Sequence, residues 1–201
     1  MPELDHIFLF VPNEARARAL MSEAGLRVNY ARAHHGQGTR NLCACLDDMF
    51  LELIWADGAP AAEETERITL SARARGQGCP IGVSWRGACD LDCVPYAAPF
   101  LPPGAAIPVA RASLDPSLPF VFRTPGGSRP IDRADGLIGD RQMPHLAMLG
   151  HCQIHVPDPE PAAKLLDRFE RISVCQGDFA LSLTLLGHDG SIGREFTWAP
   201  G

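Results

Sequence analysis

The chain has 201 residues, 46% of them hydrophobic, and a formal net charge of −6 at pH 7. That supplies enough apolar material for one sizeable core or two small ones, and an acidic chain with scattered arginines is a poor match for a nucleic-acid partner. No apolar run reaches the roughly 18 residues that a membrane span needs, so no membrane partner is expected.

The N-terminal "MPELDHIFLFVP" is acidic ahead of its apolar run. It reads as a buried strand over residues 4–11 rather than a signal peptide, and the expected location is the cytoplasm. Pro12 ends that strand. Asn13 is a good N-cap, and Ala17, Leu20, Met21 and Ala24 follow at helical spacing until Gly25 closes the helix. Residues 26–31, "LRVNYA", read as a second strand. The polar stretch "RAHHGQGTRN" comes next, at residues 32–41. "TRNLCACL" and "MFLELIWA" are two more strands, joined by a turn at Asp47 and Asp48.

This strand–helix–three-strand pattern recurs. At an offset of 145, His6 falls on His151, Val11 on Val156, Pro12 on Pro157 and Asn13 on Asp158, which is again a good N-cap followed by Pro159. Ala162, Leu165, Leu166 and Phe169 repeat the helical face, and strands follow at residues 172–175, 179–186 and 194–199. Near the end, at an offset of 143, Glu52 falls on Glu195 and Trp55 on Trp198. The expected organisation is a first βαβββ unit over residues 1–57, an irregular middle segment over 58–147, and a second clear unit over 148–201. In the middle, residues 63–75 read as one helix, and "PIGVSWRG", "PVARASL" and "LPFVFRT" as strands. The proline-rich "YAAPFLPPGAAI" cannot be helical, and residues 125–145 form a long connector. The middle reads as a degraded copy of the unit, its helix replaced by the proline-rich loop.

Seven cysteines, an odd number with no CxxC pair, read as reduced packing residues; Cys43 and Cys45 share a strand face, and Cys89 and Cys93 fall in a loop. His6 and His151 each lie within an apolar strand, and each is followed by a glutamate in the last strand of its copy. A charged Glu52 inside "FLELIW" is costly to bury without a partner. Two imidazoles and two carboxylates suit a divalent ion such as zinc, nickel, iron or manganese, with His6, Glu52, His151 and Glu195 as ligands. The plainer alternative is a buried His–Glu pair in each copy.

"RAHHGQGTRN" lacks the GK[ST] of a phosphate-binding loop. If extended, it places His35, Gln37, Thr39 and Asn41 on one face as a pocket edge, with Arg32 or Arg40 available to a substrate carboxylate. Trp85, Tyr96, Phe100 and Phe122 read as core or pocket wall, His188 as an exposed hairpin residue, and Glu63, Glu64 and Glu66 as a solvated helix face.

The repeated unit, with histidine on its first strand and glutamate on its last, resembles the vicinal oxygen chelate superfamily. "LDHIFLFVP", "RAHHGQGTRN" and "MFLELIW" together look like its glyoxalase-like domain proteins. The resemblance implies an α+β fold of repeated βαβββ units, forming cupped mixed sheets with helices outside. It also implies a small-molecule pocket, a divalent metal acting as a Lewis acid, and lyase, isomerase or dioxygenase chemistry. Glu195 is then the carboxylate expected to move a proton, and a homodimer is an expected assembly. If the middle segment rather than the C-terminal copy closes the pocket, it offers no histidine, and Arg123 stands where a carboxylate is expected. Some superfamily members bind ligands without metal, so a metal-free binding protein is the alternative.

Overall fold

Strand β1 (Glu3–Phe10) is buried from Leu4 onward, as a central strand covered on both faces must be. In the computed structural model, which describes residues 2–136 and 141–201, it runs between a parallel and an antiparallel neighbour. Its side chains alternate: Ile7, Leu9 and Val11 enter the main core, whereas Phe8 and Phe10 enter a second cluster on the opposite face. The Asn13 side chain accepts the Arg16 backbone N–H at 2.9 Å and starts helix α1 (Glu14–Glu23), which buries Ala17, Leu20 and Met21.

The second strand starts later than the sequence suggests. Strand β2 is Tyr30–His34 and β3 is Thr39–Cys45. The stretch "RAHHGQGTRN" is therefore a hairpin, with residues 35–38 as its turn. Gly36 and Gly38, at φ of 77° and 73°, supply the left-handed backbone that the turn requires. Strand β4 (Phe50–Ala56) returns beside β1.

The middle segment adds β5 (Ile81–Arg86), β6 (Cys93–Tyr96), β7 (Ile107–Ala110) and β8 (Phe120–Arg123). The eight strands form one sheet in the order β2-β3-β4-β1-β5-β8-β7-β6. Its two halves mirror each other across the β1–β5 junction. Residues 87–92 stand where the first unit has α1, and the proline-rich stretch lies one connection later, between β6 and β7. The sequence reading missed β6, because Pro95 argues against a strand; an edge strand tolerates it. The single helix expected over 63–75 is two, α2 (Glu63–Arg67) and α3 (Leu70–Ala74), broken at Thr69 with φ of 65°. "PVARASL" turns into a 3₁₀ helix at Arg111. In the 125–145 connector, residues 137–140 lie outside the described residues.

The C-terminal segment has the same element order, β9 (Met148–Val156), α4 (Pro159–Leu166), β10 (Ile172–Gln176), β11 (Ala180–Leu186) and β12 (Ile192–Trp198). Its strands pair differently. They form a separate sheet in the order β10-β9-β11-β12, whereas β1 pairs directly with β4 in the first unit. One hydrophobic cluster joins both sheets, and Trp198 donates to the Leu20 carbonyl at 3.3 Å. Among the described residues, no helix is long and apolar enough to cross a membrane.

Candidate functional site

One face of the eight-stranded sheet holds a cavity of about 200 Å³. Phe8, Phe50, Phe120, Phe122, Tyr30 and Ile54 form much of its wall, and His6, Glu52, Asn41 and His34 supply polar groups. The middle segment closes this cavity; the C-terminal sheet contributes no lining residue.

His6 and Glu52 meet because β1 and β4 are neighbours. His6 Nε2 lies 3.5 Å from Glu52 Oε2, and both side chains are buried. Strict alternation would point Asp5 away from His6. A register shift between Leu4 and His6 in the β1–β5 pairing lets the two share a site. The Asp5 carboxylate accepts from His6 Nδ1 at 2.7 Å and from Arg86 Nη1 at 2.9 Å. Burial alone would raise the Asp5 pKa, but hydrogen bonds and charges from His6 and Arg86 outweigh it and hold the group below its usual range. Asp5 therefore keeps a proton on Nδ1, which aims Nε2 at Glu52 and the cavity.

Asn41 Nδ2 donates to Glu52 Oε1 in a short hydrogen bond, and Asn41 Oδ1 accepts the Arg32 backbone N–H at 2.8 Å. Beyond Asn41 the network continues through the hairpin. His34 Nδ1 is hydrogen-bonded to Thr39 Oγ1 at 2.9 Å, Gln37 Nε2 donates to the same oxygen at 2.8 Å, and the Tyr96 hydroxyl donates to Gln37 Oε1 at 3.1 Å. Burial, followed by the charges of Arg32 and His6, lowers the His34 pKa despite the opposing pull of Glu52. His34 is thus a neutral imidazole at neutral pH.

The other half of the cavity carries no matching donors. Phe8 is in register with Glu52 across β1 and β4, and Ser84 with Phe122 across β5 and β8. By that correspondence, Glu52 is repeated by Phe122, and His6, two residues before Phe8, by Gly82. The Phe8 ring fills the space above Gly82 so closely that a Cβ there would collide with it. The Phe122 ring centre lies 5.3 Å from that of His6, edge-on. Arg123, singled out in the sequence, is exposed; Phe122 takes the inward place.

His151 and Glu195 do not join His6 and Glu52. They lie in the other sheet, where His151 is exposed and bonded to Ser173, and Glu195 accepts from Thr184 at 3.2 Å. Glu195 is thus remote from the cavity in which the sequence reading gave it a proton-moving role. The four-ligand arrangement expected from the sequence is not assembled, because the two His–Glu pairs lie in different sheets, and within the second sheet β11 separates the two strands. Among the described residues, no group of three or more His, Cys, Asp or Glu side chains is placed to hold a metal ion. His6 and Glu52 alone fall short of the three protein ligands usual at a catalytic zinc.

Within the hairpin, Arg32, Gln37 and Asn41 line the cavity, Thr39 is buried behind them, and His35 is exposed outside it. The turn explains the exchange of His35 for His34. An extended chain would align 35, 37, 39 and 41, but the hairpin pairs His34 with Thr39 and Arg32 with Asn41, so cross-strand partners share the face. Tyr96, Phe100 and Phe122 line the cavity, whereas Trp85 packs against Phe169 in the main core. The sequence reading also missed Tyr30 and Phe50; aromatic residues two positions from Arg32 and Glu52 are the signal that could have found them. All seven cysteines are free thiols.

Residues 4–85 match a family described as a glyoxalase-like domain, and the glyoxalase-like resemblance seen in the sequence holds. A comparison with curated proteins finds no match. Among solved structures, the fold is similar to that of a hypothetical protein from Staphylococcus aureus, at 9% identity and a TM-score of 0.50, covering 94% of this chain and 83% of that one. A variant of Streptomyces coelicolor methylmalonyl-CoA epimerase in complex with 2-nitronate-propionyl-CoA aligns at 12% identity and a TM-score of 0.42, covering 62% of this chain and 98% of that one. A mutant 4-hydroxymandelate synthase from Streptomyces coelicolor aligns at 12% identity and a TM-score of 0.44, covering 98% of this chain and 62% of that one.

Proposed function

We propose that this glyoxalase-like protein binds a small, flat, oxygen-bearing molecule without a resident metal. Its apolar body lies against the aromatic wall, and its polar end meets His6, Glu52 and Asn41. One observation carries the reading: a buried His6–Glu52 pair at 3.5 Å faces an aromatic cavity whose corresponding positions hold Gly82 and Phe122. An apolar cavity of about 150 Å³ is enough for a benzene ring. The roughly 200 Å³ here takes one ring with a small polar substituent. A ligand hydroxyl can donate to Glu52 or His6 Nε2.

The Asp5–His6–Glu52 alignment favours a second reading, in which the bound molecule is also isomerised. Glu52, held by Asn41, would take a proton from a carbon beside a carbonyl and return it at another position, with His6 beside it in the same site. Glu52 then has the proton-moving role that the sequence reading gave to Glu195.

The test is a thermal-shift screen of small aromatic and carbonyl compounds, run with and without added zinc, nickel, iron or manganese. Stabilisation that needs no metal and is lost in Phe122→Ala is the expected result. Elemental content below about one-tenth equivalent, unchanged in His6→Ala, agrees with it; a stoichiometric ion lost in His6→Ala overturns it. Exchange of solvent deuterium into a bound compound, abolished by Glu52→Gln, separates the isomerase reading from binding alone.

A further inference from the structure

Arg32 stands on β2 where the aromatic cavity opens into a neighbouring cleft formed with residues 124–135. Its guanidinium carbon lies 5.0 Å from the centre of the Tyr30 ring, and its backbone N–H is tied to Asn41. Stacking and strand pairing together hold the cation at the mouth. The other arginine lining this cleft, Arg133, is engaged with Asp135. Among the described residues, Arg32 has no carboxylate partner.

A continuous run of rings joins this cation to the polar pair on the cavity wall. Tyr30 lies 6.2 Å from Phe50, and Phe50 stacks on His6 at 4.4 Å with an interplanar angle of 18°. A flat ring lying along that wall has a cation at one end and the Glu52 carboxylate at the other. Charge fixes the direction: a ligand carboxylate is repelled by Glu52 and drawn to Arg32, whose planar fork matches it.

Resting on the metal-free binding reading above, we infer that the ligand is a flat aromatic or conjugated monocarboxylic acid. Its carboxylate is held by Arg32, and its oxygen substituent at the far end meets His6 and Glu52. Two probe pairs test this by calorimetry on the full chain: 4-hydroxybenzoate against 4-hydroxybenzamide, and 4-hydroxycinnamate against its amide. In at least one pair, the acid should bind about tenfold tighter than the amide, as a charge-assisted hydrogen bond implies. Arg32→Gln should remove that preference while leaving amide affinity within about twofold, since the exposed guanidinium does not support the core. Acid and amide binding alike, or a preference that survives Arg32→Gln, overturns the carboxylate assignment and leaves the aromatic pocket standing. No binding by any of the four probes overturns both.

Discussion

His151 and Glu195 face the same residue, Thr184, from opposite sides: β11 lies between their strands, and Thr184 is in register with both. With neighbouring strands about 4.8 Å apart, that places their backbones close to 10 Å from each other. His6 and Glu52 occupy the matching sequence positions on strands that pair directly. The same residue types at nearly the same spacing therefore give a convergent pair in one sheet and a separated pair in the other.

His151→Ala and Glu195→Ala should accordingly leave ligand affinity within about twofold of wild type and stability within about 0.5 kcal/mol, as is usual for exposed positions away from special features. His6→Ala should abolish the ligand-induced shift. Parallel melting curves with and without ligand check both outcomes.

Asn41 tests the polar floor. Its side chain donates to buried Glu52 and accepts from the Arg32 backbone. Asn41→Ala leaves a buried carboxylate and a backbone N–H each short of a partner, so urea unfolding should show a loss of about 2 kcal/mol. Asn41→Asp sets a second carboxylate against Glu52 and should cost more than Asn41→Ala at neutral pH.

Gly82 tests the aromatic half. A methyl group there displaces the Phe8 ring, which lies over it. Gly82→Ala should cost about 1–3 kcal/mol through overpacking and weaken ligand binding by narrowing the cavity. Calorimetry and urea midpoints measure the two effects separately.

Two lowered pKa values make the fold acid-sensitive in successive ranges. Burial, with help from Arg32 and His6, holds His34 below its ordinary 6.5. The unfolded chain binds a proton there that the folded chain refuses, so stability falls as pH drops below about 6.5. Asp5 is held below its ordinary 3.8, and its contribution, present above that value, is lost as pH falls through the lower folded value. Urea midpoints should decline between about pH 7.5 and 5 in the wild type and less steeply in His34→Gln.

The amino-acid sequence makes the local elements legible. The Pro12–Asn13 boundary, the helical face of α1 and the β3–β4 turn follow from short-range rules, and the structure has them close to where those rules place them. His6 and Glu52 stand out in the sequence for the same reason: a polar group in an apolar strand needs a partner. His34 was missed because a turn at 35–38 shifts which residues share a face, and Asp5 because a single register irregularity overrides alternation.

The sequence by itself determined the element order of the first and last βαβββ units, their repetition, and His6 and Glu52 as the centre of the first half-site. Only the tertiary structure decided that the middle segment closes the cavity and that the C-terminal strands pair in another order. Alternation and capping depend on residues a few positions apart, whereas strand order depends on which long connections cross the sheet. That order brings Glu52 to His6 and keeps Glu195 from His151.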